Sequence, residues 1–354
     1  MKKEVLKQSL GVDVSKDSIS FTLAQVTPDL KKQFELGAEL SNDSKGFSRL
    51  VRWLSSRVLD KRGLLVVMES TGVYHQRLAL YMYERGFSVS IMQSGRVKRY
   101  AQSLQQRSKT DALDSKMLSM LGCERDLPLW EPPREVHNAL KALSRERSAL
   151  IRDRVTNNNR IDSLASSPFQ HSREITRYKK RIKLLESQIK EIEEEMSELV
   201  ENDTELRQKI HYLKSIPGVS FISVATVVGE TLGFEGITNA KQLTSYAGYD
   251  VVIRESGTYK GKSTISKKGN RNIRRVLHMP SMSAVRVNPT LKPFYHRLKE
   301  NKAKPIVALV AVQRKLLVLM YSLWKNETYY DPEYQQKSGN SLKELPCRIV
   351  STLV

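Results

Sequence analysis

Four carboxylates stand out in the first third of the chain, two of them at positions where a carboxylate is costly. Asp13 lies between Val12 and Val14 in the apolar run SLGVDV (9–14), and Glu69 follows the apolar run LLVVM (64–68). Uncompensated, each would be destabilising there. Asp111 and Asp114 stand three apart in KTDALDSKML and so share one face of a helix. Acids from two strands and a helix, gathered at one sheet edge, repel one another. Mg²⁺ relieves that repulsion by taking hard oxygen ligands, and two such ions about 4 Å apart clamp the attacking and leaving oxygens of a phosphodiester. The ordinary alternative for Asp111 and Asp114 is a helix start after Thr110, where acids favour the dipole without a metal. Their surroundings favour the metal: between Glu84 and Asp111 there is no acid, but there are Arg85, Arg96, Lys98, Arg99, Arg107 and Lys109. A basic frame around acids suits a site that holds metal and a phosphate backbone together.

A second group of residues lies far downstream. From Arg254 to Arg275 the chain has eight cations (Arg254, Lys260, Lys262, Lys267, Lys268, Arg271, Arg274, Arg275) against one acid, Glu255. Ser256 precedes Gly257 here, in a stretch too rich in Gly and Lys for a long helix. A serine in such a loop is ordinarily just polar, and with no histidine beside it a Ser-His-Asp triad has no local support. Upstream, LKSIPGVSFISVATVVGETLG (213–233) reads as a helix end, an IPGV turn and a small-residue helix, similar to a helix-hairpin-helix element. Gly218 would let the backbone approach a phosphate, with the free N–H groups of the next helix facing it. Such a contact is independent of base sequence, and its ordinary alternative is a plain helical turn.

The elements that must position these groups fall into segments. Through about residue 125 strands and helices alternate. The runs 9–14 and 19–24, linked by the turn residues SKDS, read as a hairpin. A third strand is expected over 33–40, a helix through Phe47, Leu50, Val51 and Leu54, the buried strand 64–68, a helix through Leu78 to Tyr83, a strand over 87–92, and a helix from Thr110 to Leu121. This predicts an α/β domain, 1–125, with a mixed sheet. In 130–211, Ile182, Leu185, Ile189, Ile192, Met196 and Leu199 recur at spacings of 3 and 4, a coiled-coil seam. Val136, Leu140, Leu143 and Leu150 show a poorer version, and SSPFQHS (166–172) separates the two. Two long helices would fold back on each other or pair with another chain, with Asp203 breaking the seam. The segment 212–330 is mainly helical and basic, with 19 Lys plus Arg against 6 Asp plus Glu. A polar tail, 331–354, follows.

Length and charge agree with this division. At roughly 100–200 residues per domain, 354 residues make two or three. The net charge of +21 repels itself unless a polyanion neutralises it, which points to nucleic acid ahead of an anionic membrane. Cys123 and Cys347 form no CxxC pair, against a zinc ribbon or disulfide scaffold and in keeping with a reducing cytoplasm. No run is expected to reach the ~18 apolar residues of a membrane span, and the N-terminus lacks the apolar stretch of a signal peptide. A soluble intracellular protein with no membrane partner is expected.

Taken together, GVDVSKDSISFTL, MESTGVYHQRLALYMYERGFSV, RSKTDALDSKML, IPGVSFISVATVVGE and YAGYDVVIRESGTYKGKSTISKKGNRNIRRVLHMPSMSA run in an order that resembles the DEDD transposases and recombinases of bacterial insertion sequences. That family includes the Piv-type DNA invertases and the bridge-RNA-guided recombinases. The resemblance covers about 13–325. It implies a RuvC-like, RNase H-type first domain whose tetrad is Asp13, Glu69, Asp111 and Asp114, binding Mg²⁺ or Mn²⁺. It further implies a C-terminal transposase domain whose serine, placed at Ser256 with Ser263 and Ser266 as fallbacks, forms a phosphoserine link to DNA. Donor and target DNA, a guide (bridge) RNA, and a homo-oligomer are the implied partners, the oligomer being a coiled-coil dimer, or a tetramer when two DNA sites are held. A tetrad from one subunit completed by a serine from another is part of that picture. One departure is VVIRESG in place of the more usual Pro-containing stretch before the serine. The alternatives are a RuvC-like structure-specific nuclease, which needs no serine, an RNA-independent invertase, and a non-enzymatic nucleic-acid-binding protein whose carboxylates are merely structural.

Overall fold

Apolar alternation and two glycines build the N-terminal part of the molecule. In the computed structural model the described residues are 5–58, 60–70, 72–105, 110–169, 171–252, 255–256, 259–261, 264–301 and 304–333. They form two compact units, Met1–Pro132 and Pro133–Val354.

In the first unit, β1 (Lys7–Val14) and β2 (Ser18–Val26) pair antiparallel, with Val12 opposite Phe21 and Asp13 opposite Ser20. The hairpin expected from SKDS is therefore formed. Outside β2 lie β3 (Lys32–Leu36) and the short β4 (Leu40–Ser41), so the expected strand over 33–40 is broken in two at Gly37. Helix α1 (Ser44–Ser55) follows, capped by Asp43, which accepts from the Gly46 N–H at 2.8 Å. Then come β5 (Leu64–Glu69), α2 (Gln76–Glu84), β6 (Ser88–Met92), α3 (Ser94–Ser103) and α4 (Asp111–Glu124). The strand order is β3-β2-β1-β5-β6, with β1, β5 and β6 parallel. One face buries Leu10, Val12, Phe21, Leu23, Val66 and Met68 against Phe47, Leu50 and Leu54 of α1 and Leu78 and Met82 of α2. The other buries Val67 with Val97 and Tyr100 of α3 and Met117, Leu118 and Leu121 of α4.

The second unit opens with α5 (Glu135–Ala165) and α6 (Ser172–Glu201), antiparallel to each other. Arg147–Glu193 at 2.6 Å and Arg154–Glu186 at 3.8 Å tie them in that sense. Ile189, Ile192 and Met196 of the predicted seam are buried, and Leu140 of α5 shares one core with Ile192 and Met196. The seam is thus occupied within the chain. Asp203, expected only as a break, caps α7 (Thr204–Lys214) by accepting from the Leu206 N–H. Helices α8 (Phe221–Thr231) and α9 (Ala240–Ala247) follow. The basic stretch forms four two-residue strands: β7 (Val251–Val252) pairs with β10 (Thr264–Ile265), and β8 (Glu255–Ser256) with β9 (Tyr259–Lys260). Then come α10 (Arg271–Val276), α11 (His278–Val287), α12 (Leu291–Glu300) and α13 (Pro305–Asn326).

The segments 130–211 and 212–330, expected as separate domains, share a single core. Met196 and Val200 of α6 pack in it with Leu213, Val228, Leu316 and Met320. Contrary to the expectation of no such run, helix α13 is long and apolar enough to cross a membrane by length and composition. Its apolarity has a local cause: Val312, Leu316, Leu317, Met320, Leu323 and Trp324 are buried in that core.

Candidate active site

The ends of β1 and β5 lie side by side. The last couple of their parallel ladder is Val12 with Met68, so Asp13 and Glu69 are the next residue on each strand. Which face they occupy follows from the pleat. Gly11 is pressed against α4: a Cβ there would stand 2.0 Å from the Ser115 carbonyl oxygen. Val67 meets α4 from the neighbouring strand, 2.8 Å from where a Gly122 Cβ would be. Asp13 and Glu69 are two residues on from Gly11 and Val67, so both belong to the α4 side. Helix α4 runs back along β1, with Gly122 over Ser9 and Ser115 over Gly11. Its first turn therefore lies toward the Asp13 end. Asp111 precedes Ser115 by one turn and Asp114 precedes Leu118 by one turn, which sets both on the sheet-facing side.

Several contacts hold α4 in this position. Thr110 caps it, accepting from the Leu113 N–H at 3.3 Å. The buried hydroxyls of Thr22 and Ser115 are 2.8 Å apart. At the far end Glu124 pairs with Lys32 and accepts from the Tyr100 hydroxyl at 2.7 Å. The Lys32 ammonium is the main cause holding the Glu124 carboxyl below its usual range; burial and Glu124 push the Tyr100 phenol upward. An open cavity of about 420 Å³ at the helix start is lined by Ser20, Gly37, Glu39, Thr110 and Asp111. Glu39 is a carboxylate that the sequence left unnoticed between strands.

Three of the four predicted acids, Asp13, Glu69 and Asp114, are thus brought to one edge by backbone placement, and Asp111 lines the cavity beside it. Among the described residues no group of three or more His, Cys, Asp or Glu side chains is placed to hold a metal ion. The hard oxygen donors and their common edge nevertheless fit a divalent cation in kind. Lys109, also predicted, is outside the described residues.

In the second unit Ser256 is exposed in β8, opposite Tyr259, and Glu255 stands opposite Lys260. Arg254, Lys262 and Ser263 lie outside the described residues. Ser266 is less available as a nucleophile, since its hydroxyl donates to Asp250 at 2.5 Å and accepts from the Lys268 N–H. Lys267, Lys268, Arg271 and Arg275 are exposed. Arg274, by contrast, donates to the Ala247 carbonyl at 2.6 Å and so holds the end of α9. Gly218 has φ +92, and a Cβ on it would stand 2.7 Å from the Ala284 nitrogen. The neighbour its missing side chain admits is α11, a correction to the phosphate approach expected there.

One residue that the sequence reading missed anchors this region. Glu230, fully buried at the end of α8, accepts from Arg145 at 2.9 and 3.0 Å and from the Asn270 and Asn272 amides at 2.7 Å each. Burial alone would raise its carboxyl, but the Arg145 guanidinium and the two amides outweigh that and hold it below its usual range. Asn270 in turn caps α10. The available signal was an acid inside the otherwise apolar helix 221–231.

Comparison with known proteins bears on both units. A family described as a DEDD transposase of the IS110 type matches residues 10–169, and one described as transposase, IS116/IS110/IS902 family, matches residues 210–296. The pilin gene-inverting protein of Moraxella lacunata is 25% identical over 92% of this chain and 98% of its own length. That of Moraxella bovis is 24% identical with the same coverage. Among solved structures, T. thermophilus RuvC in complex with Holliday junction substrate covers 32% of this chain and 91% of its own, at 13% identity and a TM-score of 0.25.

Proposed function

Because this chain belongs to the IS110-type family of DEDD transposases, we propose that it cuts and rejoins DNA with the carboxylates of its first unit and Ser256 of its second acting on the same phosphodiester. The observation that supports the reading is the common end of β1, β5 and α4, the end of each element at which Asp13, Glu69 and Asp114 stand. The first unit is read as RuvC-like, of the RNase H type.

A divalent cation, Mg²⁺ or Mn²⁺, bound by Asp13, Glu69, Asp111 and Asp114 would neutralise charge building on the phosphate in the transition state. The chain's own cations, Lys267, Lys268, Arg271 and Arg275, lie exposed to take the flanking phosphates and position the strand. Ser256 Oγ would form a bond to phosphorus as one P–O ester bond of the strand breaks. The covalent link conserves the ester, so attack by a freed hydroxyl reseals a strand without a high-energy cofactor. The exposure of Ser256 on a short hairpin supports that role, since a nucleophile for duplex DNA must be approachable.

A structured guide RNA choosing donor and target DNA is part of the proposal, supported by the +21 charge. So is a homo-oligomer, acting in the bacterial cytoplasm. RNA-independent inversion is the second reading; likeness to the two gene-inverting proteins over nearly their whole length supports its inversion part. A substrate nicked beside the scissile phosphate separates these ideas, because it traps an adduct whose religating strand has diffused away. Mass spectrometry should find phosphonucleotide on Ser256. Asp13→Asn should bind DNA yet lose cleavage by about 10²–10³-fold or more, and Ser256→Ala should lose the adduct. Cleavage persisting in Ser256→Ala without an adduct would establish attack by water and the nuclease reading. Recombination by RNA-free protein would establish the invertase branch.

A further inference from the structure

The outer face of α6 carries a charge pattern that its own helix does not explain. With the seam turned to α5, the opposite stripe runs Arg173, Arg177, Lys180, Leu184, Ser187, Glu191, Glu195, Glu198 at spacings of 3 and 4. All of these are exposed, Leu184 at 60%. The first three are cations and the last three are acids, the reverse of what the helix dipole favours in the end turns. Like charges also stand three and four apart within each half, which destabilises an isolated helix. Among the described residues none of the three cations has an ion-pair partner.

The two halves match each other. Arg173 with Glu198, Arg177 with Glu195, Lys180 with Glu191 and Leu184 with Ser187 all have their midpoint at 185–186. A stripe that is its own complement about one point fits a two-fold axis, where the same patch serves both copies. We propose that the outer face of α6 docks antiparallel against the same face of a second copy of this chain, setting Arg173, Arg177 and Lys180 against the partner's Glu198, Glu195 and Glu191. This rests on the homo-oligomer in the proposed function and names its surface. It also replaces the seam, which α5 already fills. The stripe is about 39 Å long and about 10 Å wide, roughly half of the ~800 Å² per partner in a standard interface. Its charges therefore set orientation and register more than affinity, and association through it is salt-sensitive.

Light scattering and sedimentation of the full-length, nucleic-acid-free protein test this at low and high salt. Wild type should be a dimer that weakens as salt rises. The triple variant Arg173→Glu, Arg177→Glu, Lys180→Glu should weaken self-association at least about tenfold, and so should Glu191→Lys, Glu195→Lys, Glu198→Lys. Mixed in equal amounts, the two variants should form a heterodimer. Unchanged helix content by circular dichroism guards against unfolding, as every substituted residue is exposed. A wild-type dimer indifferent to both variants overturns this surface while leaving the oligomer standing. A wild-type monomer at all salts overturns both. If only the basic-to-acidic variant has an effect, and only on nucleic-acid binding, the stripe is a polyanion contact and the proposal fails.

Discussion

At the carboxylate edge, α4 is held on β1 by close approach: Gly11 and Gly122 remove the side chains that would keep helix and sheet apart. At the basic segment, the loop before α10 is held by a buried charge, Glu230, with four donors upon it. The first arrangement rests on close packing with a buried hydroxyl pair, Thr22 and Ser115, inside it, whereas the second is built on a buried charge and needs every partner. Groups that must share a metal need fixed mutual distances, which close packing supplies. Under the proposed reaction the serine must meet a large substrate, and the Ser256 side chain is exposed.

The comparison breaks first at Glu230. Glu230→Ala leaves the Asn270 and Asn272 amides and Arg145 without their acceptor, and should cost about 3–5 kcal/mol, read as a fall in denaturant midpoint. An undiminished midpoint would remove the anchor from the account. Acid should then distinguish the units. Burial pushes His137 down to about 4, despite Glu235 at 3.4 Å. The unfolded chain takes up that proton below about 6.5 while the folded one does not, so stability falls as pH drops from 6.5 toward 4, by about 3 kcal/mol in all. Glu230, with a depressed carboxyl, adds stability that is lost as pH falls still lower through its folded value. Thermal melts of His137→Leu should be flatter across this window; an unchanged slope would exclude His137 as the cause.

Gly11→Ala comes next. Its Cβ would meet the Ser115 oxygen at 2.0 Å, and such overpacking typically costs about 1–3 kcal/mol. DNA cleavage should fall more than stability does, because α4 carries Asp111 and Asp114. Equal losses would deny the helix a positioning role. Smallest is Thr264→Ala, exposed on a two-residue ladder, which should stay within about 0.5 kcal/mol in the same melts.

Much of this was legible locally. Alternation and turn residues located β1, β2, β5 and β6, and Thr110 marked the start of α4. The 3-and-4 spacing of 182–199 marked the apolar face of α6. Helix α3 escaped because SGRVKRYAQS has only Val97 and Tyr100 to bury. The odd placement of Asp13 and Glu69 in apolar runs singled them out, whereas Glu39 had no such context.

By itself the sequence determined which residues seek burial, where helices and strands begin, how much positive charge must be neutralised, and which family motifs are present. Only the tertiary structure decided partners. It assigned the seam to α5, the space beside Gly218 to α11, Arg274 to a carbonyl, Ser266 to Asp250, and the apolarity of α13 to a protein core. The reason is physical: periodicity reports the face a residue occupies on its own element, over a few residues of chain. What that face meets depends on residues tens of positions away, whose approach is set by packing and by the need to pair buried polar groups.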